Sequence, residues 1–256
     1  MSTPTHDALQ RQWADDVFAN GPRSHLLSDD ELVQYLVRWR LTDAMTRLRR
    51  AAPDLTDQSS ILVLCSGDGF EGTHLADLGY ANVTVSDLSP FGVRSATERD
   101  PRLRGVVLNA TSAGIRDHSF DVVIVQDGLH HLQSPVAGFV EMLRIARRAT
   151  CFLEPHDSFA GRTIGRSWEV NGDAVNFVFR WDRRLVDQVA SSYLGRDACT
   201  NLSYSYWHHN VHLDRLGRRL GGGARSVRVI DLLKRTIDRA LPGLGNLFCG
   251  MVVIHR

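Results

Sequence analysis

The stretch CSGDGFEG places Gly67, Gly69 and Gly72 in G-x-G-x-x-G spacing, and Asp87 stands twenty residues beyond Gly67. Glycines let a backbone approach a bound cofactor and turn at once into a helix, and an acid at that distance accepts hydrogen bonds from ribose hydroxyls. The pattern predicts a nucleoside cofactor, although a nicotinamide dinucleotide satisfies these four residues equally well. Titratable groups gather at two further points, His130 and His131 in LHHL and Glu154, His156 and Asp157 in EPHDS. Such groups can move protons when their surroundings tune them toward neutrality. His208 and His212 in WHHNVH stand four apart, one helical turn, as a two-histidine metal site would. Spacing offers them no third ligand, so no metal is expected.

These residues need a frame. Strand-like apolar runs at 61–65, 83–87, 105–110, 120–126 and 149–154 alternate with helical segments at 69–79, 89–99 and 135–148. That rhythm predicts a parallel sheet with helices on both faces, and ligands of such sheets bind at the carboxyl ends of the strands. Further strands are expected at 198–207 and 246–255, with a helix after Asp182 to about Leu194, a polar Gly-rich stretch at 208–226 and a helix at 227–240. Before the sheet, Leu9, Trp13 and Val17 mark a short helix. A turn at Gly21–Pro22 leads to a second helix that the capping box Ser28–Glu31 starts and Pro53 stops. The expected fold is α/β: a Rossmann-like, mostly parallel seven-stranded sheet with helices on both faces. A helical N-terminal cap (1–58) precedes a domain over 59–256, whose lid and acceptor elements lie at about 156–245.

Composition narrows the class. The 256 residues are 43% hydrophobic with a net charge of +1, so nothing favours nucleic acid as a partner. The four cysteines are scattered without a CxxC pair, which reads as reduced thiols in the cytoplasm. No apolar run approaches the roughly 18 residues that cross a bilayer, and the first residues lack a secretory pattern.

The order of motifs after the glycine loop separates the candidate nucleosides. VTVSDLSP, then NATSAGIRDHSFDVVIVQDGLHHL, then RIARRATCFLEP resemble the class I, Rossmann-like S-adenosylmethionine-dependent methyltransferases, small-molecule branch, over about residues 60–155. The resemblance implies that Gly67, Asp68 and Gly69, with Cys65 and Ser66, wrap the methionine part of S-adenosylmethionine. It implies that Asp87 holds the ribose, Leu88 lies against the adenine, Asn109 and Ala110 meet the adenine edge, and Gln126 and Asp127 close the site beneath the methyl. Three positions depart from the family: Val63 and Cys65 replace an acid and a third glycine, and Asn109 replaces a common aspartate, its amide oxygen being able to face the adenine amino group. An NAD(P)-dependent oxidoreductase explains the glycines and Asp87 but not SFDVVIVQDGLHHL, and with Lys234 the sole lysine there is no YxxxK pair. The departures also allow a non-catalytic nucleoside-binding relative.

Methyl transfer needs an aligned acceptor and, for a protonated amine or a hydroxyl, a base. His156 is the preferred base because it sits just past a strand's carboxyl end; His131 is a second candidate, and Glu154 could orient His156 or bind an amine. The aromatics Trp168, Phe177, Phe179, Trp181, Tyr204, Tyr206 and Trp207 could contribute a wall to the acceptor pocket. With Asp127, Glu154 and Asp157 nearby, a small polar cationic acceptor such as an amino sugar or another specialised metabolite is expected, nitrogen slightly favoured over oxygen. Arg38 and Arg40, on the helical N-terminal segment, could reach the cofactor's carboxylate from above, but a solvated helix face is the preferred reading. The N-terminal helical segment could cap the site or pair two copies as a homodimer.

Overall fold

The computed structural model describes residues 4–19 and 28–255. The turn expected at Gly21–Pro22 lies outside them. α1 (His6–Ala19) buries Gln10, Ala14 and Phe18, which share a face at a spacing of four. α2 (Glu31–Ala51) turns Leu32, Leu36, Leu41, Ala44, Met45 and Leu48 inward. Its cap is Asp30 rather than Ser28. The Asp30 carboxylate accepts from the N–H groups of Leu32 and Val33, whereas Ser28 Oγ accepts only from Asp30 N. A charged acceptor at the positive end of the helix displaces the expected capping box.

Six strands and helices then alternate: β1 (Ser60–Leu64), α3 (Phe70–Asp77), β2 (Asn82–Asp87), α4 (Pro90–Arg99), β3 (Arg104–Val107) and, after a loop, β4 (Phe120–Gln126). α5 (Pro135–Ile145) and β5 (Ala146–Pro155) complete the parallel part. α5 stops three residues short of expectation because Arg147 and Arg148 join β5, where both reach Asp121 on β4. Next come α6 (Phe159–Ile164), the hairpin β6 (Trp168–Asn171) and β7 (Ala174–Phe177), α7 (Arg183–Leu194), β8 (Cys199–Asn201) and β9 (Tyr204–Tyr206). α8 (Asn210–Arg219), α9 (Gly223–Ala240) and β10 (Leu247–Ile254) finish the chain.

The sheet order is β3-β2-β1-β4-β5-β10-β8, with β9 also on β10. β1 to β5 are parallel and β10 is antiparallel to its neighbours. Seven positions thus carry eight strands. The single strand expected over 198–207 breaks at Ser203, whose hydroxyl takes the bond from Met251 N that a continuing strand would take with its backbone. Alternation splits the strand side chains between two cores. Ile61, Val63, Val85 and Ile124 join Leu41 and Leu48 of α2, while Leu62, Leu64, Val123 and Val125 join Phe139, Phe152 and Trp181. Among the described residues no helix is long and apolar enough to cross a membrane.

The region 156–245 departs most from expectation. The stretch 208–226 contains α8 and the start of α9, and nothing in the periodicity announced α6 or the hairpin. The hairpin is inverted relative to an ordinary surface sheet: Trp168, Val170, Val175 and Phe177 are exposed, while Asn171 and Asn176 are buried. Its polar face looks toward the turn after β4.

Candidate active site

Strand order reverses at β1, between β2 on one side and β4 on the other, and a cavity of about 610 Å³ opens at their carboxyl ends. Its floor comes from Cys65, Gly67, Asp87, Leu88, Leu108, Asn109, Ala110, Gln126 and Asp127. Its roof comes from α1 and α2, through Asp7, Gln10, Trp13, Phe18, Leu36 and Arg40, and α8 adds Asn210, Asp214 and Arg215 at the rim.

The loop after β1 reaches this floor by left-handed backbone at Cys65, Gly67 and Gly69, with φ of 53°, 52° and 77°. A Cβ on Gly67 would stand 2.5 Å from the Phe18 ring, so glycine is what lets α1 lie on the loop. The Asp87 carboxylate is fixed from both sides, accepting from Gly67 N at 2.8 Å and Ser89 N at 2.9 Å. Three of the expected loop residues, Ser66, Asp68 and Gly69, do not line the cavity. Ser66 turns its hydroxyl to Ser86 O, Asp68 is fully buried beside Arg99, and Gly69 caps α3 against Ala96. The loop curls under itself there, so only Cys65 and Gly67 reach the cavity.

Asn109 lines the cavity, but its amide oxygen is taken by Thr111 N and Oγ1 at 2.9 and 2.8 Å. Its amide nitrogen donates to Asp7 at 2.7 Å. The Asn109 amide oxygen is thus engaged within its own loop, and Asp7 of α1 brings a carboxylate to the same wall. Gln126 donates to Glu71 at 3.0 Å, and its buried Oε1 has no hydrogen-bond partner. Asp127, at φ 51°, is gripped by Arg40 through two hydrogen bonds. Burial opposes ionisation of Asp127, but the Arg40 charge outweighs it and holds the carboxyl below its usual range. Arg40 was expected on a solvated face; its side chain is only 12% exposed, because α2 roofs the cavity.

The turn Leu129–His131 sets two adjacent histidines to opposite ends of the pH scale. His130 Nδ1 lies 2.5 Å from Glu154, and Nε2 lies 3.3 Å from Glu169 on β6. Burial works against its charge, yet Glu154 and then Glu169 prevail and raise its pKa to about 10. His131 lines the cavity, stacks on Trp13, and receives the side-chain amides of Asn171 and Asn176 at Nδ1. Burial and the neighbouring His130 charge lower it to about 4, so it is a neutral imidazole.

The β5 end behaves differently. Glu154 is fully buried and accepts from Gly128 N at 2.8 Å and Leu129 N at 2.7 Å as well as from His130, so it braces the β4 turn instead of facing a ligand. His156 does not reach the cavity. Its Nδ1 lies 2.7 Å from Gly245 O, and its ring stacks on Phe248. Asp157 points outward to Arg162. His208 precedes α8 and is taken by Lys234 and Asn210, which removes the helical spacing with His212. The lid aromatics do not wall the cavity: Trp181 and Tyr206 are core, and Trp168 and Phe177 face outward. The aromatic walls are Trp13, Phe18 and Phe70. The four-residue spacing of Gln10, Ala14 and Phe18 marks a helix face, but nothing local says what it covers.

Residues 62–153 match the methyltransferase-domain family. A demethylmenaquinone methyltransferase of Beutenbergia cavernae is 38% identical over 87 residues, 34% of this chain and 36% of that protein. The likeness thus spans about a third of the relative's length. Residues 62–153 therefore carry a methyltransferase domain, set on the parallel sheet described above. Solved structures extend the likeness of fold to nearly the whole chain. Magnesium protoporphyrin IX methyltransferase of Synechocystis, with bound S-adenosylhomocysteine, is 13% identical at a TM-score of 0.57, covering 96% of this chain and 98% of that one. The cyclase SpnF is 15% identical at a TM-score of 0.62, covering 100% and 98%. A fold that also serves a cyclase does not by itself specify a reaction.

S-adenosylmethionine is the cofactor of this domain class, and the residues of the methyltransferase domain fit it. Asp87 presents a fixed carboxylate to a diol, and Leu88, Leu108 and Ala110 offer apolar surface to a flat base. The unpartnered Gln126 Oε1 awaits a donor.

Proposed function

We propose that the protein is an S-adenosylmethionine-dependent methyltransferase acting on a nucleophilic nitrogen or oxygen of a small polar molecule. The observation that carries this reading is that Asp87 and His131 line one continuous cavity, the first suited to a nucleoside and the second to an acceptor. When bound, the cofactor supplies an activated methyl group for in-line displacement. Asp87 holds the ribose, Leu88 and Ala110 bracket the base, and Asp7 accepts from the adenine amino group. Gln126 accepts from the amino-acid end, and α1 and α2 exclude water. His131 hydrogen-bonds the acceptor and aligns it. As a neutral ring with a depressed pKa it is a weak base, so alignment is its contribution.

The charge argument for an amine loses its footing, since Asp127, Glu154 and Asp157 are engaged by Arg40, His130 and Arg162. Nitrogen and oxygen acceptors are therefore proposed alike. The acceptor of the curated relative is not carried over either, because the family match ends at residue 153, before the hairpin and α8 that complete the cavity.

Calorimetric titration with S-adenosylmethionine, S-adenosylhomocysteine and NAD(H) tests the proposal. Both adenosyl ligands should bind, NAD(H) should not, and Asp87→Ala should weaken binding about 10- to 100-fold, the worth of a hydrogen bond to a charged group. Binding of NAD(H) alone, or adenosyl binding indifferent to Asp87→Ala, overturns it.

A further inference from the structure

We propose that His130, His131 and Glu169 form a site for one divalent transition metal at the acceptor end of the cavity. The location rests on the reading above that His131 faces the acceptor; the metal site itself does not depend on the cofactor. One nitrogen of each ring and one Glu169 oxygen lie within 4.8 Å of one another. His130 Nε2 and Glu169 Oε2 are 3.3 Å apart, about the separation of two ligands that each stand roughly 2.0–2.1 Å from a tetrahedral ion.

The surroundings are those of a built site. A metal-bound histidine usually donates its other ring nitrogen to a carboxylate, and Glu154 sits at that nitrogen of His130, itself held by two backbone N–H groups. On the other side, Asn171 and Asn176, from the same hairpin that carries Glu169, meet Nδ1 of His131 with their amide nitrogens, so binding an ion through Nε2 requires that Asn171 turn its amide oxygen to a protonated Nδ1. Asn176 is fixed in turn by His6 and Gln10 of α1. Two imidazoles and one carboxylate suit zinc or cobalt better than magnesium or calcium. Three protein ligands leave a fourth position, and because His131 lines the cavity, an oxygen of the acceptor can take it. This would supply the activation that a neutral His131 lacks. Spacing could not reveal the set, since Glu169 lies 38 residues beyond His131.

The test is a titration of the chelator-treated full chain with Co²⁺, read by visible absorption, with Zn²⁺ as competitor. The exposed His209–His212 pair, with ring centroids 4.3 Å apart, is the rival binding place. Wild type should bind one Co²⁺ with the absorption of a four-coordinate ion. Glu169→Gln should weaken it at least about tenfold, and His212→Gln should leave it unchanged. Absence of such absorption in wild type, or its loss in His212→Gln and survival in Glu169→Gln, overturns the site. S-adenosylhomocysteine titration of the same samples keeps the two readings apart. Retained binding in Glu169→Gln shows a folded cofactor site, and metal binding without adenosyl binding sinks the cofactor reading alone.

Discussion

The carboxyl ends of β4 and β5 carry the same kinds of residue. The first holds Gln126, Asp127, His130 and His131, and the second holds Glu154, His156 and Asp157. The β4 end opens into the cavity because β1 lies beside it and the sheet order reverses there. The β5 end is covered: β10 pairs along it, His156 N donates to Asn246 O, and Trp181 N donates to Pro155 O. A position at a strand's carboxyl end is therefore not enough to make a residue face a ligand; what crosses over that end decides. Glu154 joins the two regions, since it belongs to β5 and spends its oxygens on the β4 turn.

The largest effect should come from breaking that joint. Glu154→Ala leaves two backbone N–H groups and the Nδ1–H of a buried imidazolium without an acceptor, and should cost about 3–5 kcal/mol in urea denaturation. A loss below about 1 kcal/mol would mean that the β4 turn holds without β5.

Next comes a split between the two histidines. His131→Ala should lower kcat/KM by about 100-fold through misplacement of the acceptor, and cost about 1–3 kcal/mol because the buried Asn171 and Asn176 amides lose their acceptor. His156→Ala should leave kcat/KM unaffected and cost about 1–3 kcal/mol, because Gly245 O loses one of its two donors, keeping Ser158 Oγ, and Phe248 loses the ring stacked on it. The reverse pattern in steady-state kinetics would restore His156 as the base.

The smallest effect, and the finest distinction, is in pH dependence. The contribution of His130, raised to about 10, is fully present below the unfolded value of 6.5 and is lost as pH rises toward 10. His156, lowered by burial, binds its proton less readily folded than unfolded, so its contribution is lost as pH falls below 6.5. Thermal melts of metal-free His130→Gln and His156→Gln should therefore differ from wild type with slopes of opposite sign. Slopes of the same sign would remove the electrostatic contrast between the two strand ends.

Much of the parallel half was legible because its signals are local. β4 spans Phe120–Gln126 as its apolar run indicates, and Asp182 caps α7 through Leu185 N as its position suggests. Asp87 was found by its distance from Gly67, and the structure binds the two together. Asp7 and Glu169 were not legible, because Asp7 reaches the cavity and Glu169 reaches His130 from elements whose docking no nearby residue encodes, and for Arg40 the sequence could not choose between the cavity and solvent. The hairpin escaped for a related reason: its buried face is polar, so hydrophobic alternation points the wrong way.

By itself the sequence determined the alternation of strand and helix, the glycine loop, and the acid that answers it. Those follow from backbone sterics and periodicity within a few residues. Only the tertiary structure decided which histidine faces the cavity and which is charged. Burial and the placement of Glu154, Glu169 and Arg40 are properties of packed neighbours, and a pKa or an open face exists only once those neighbours are in place.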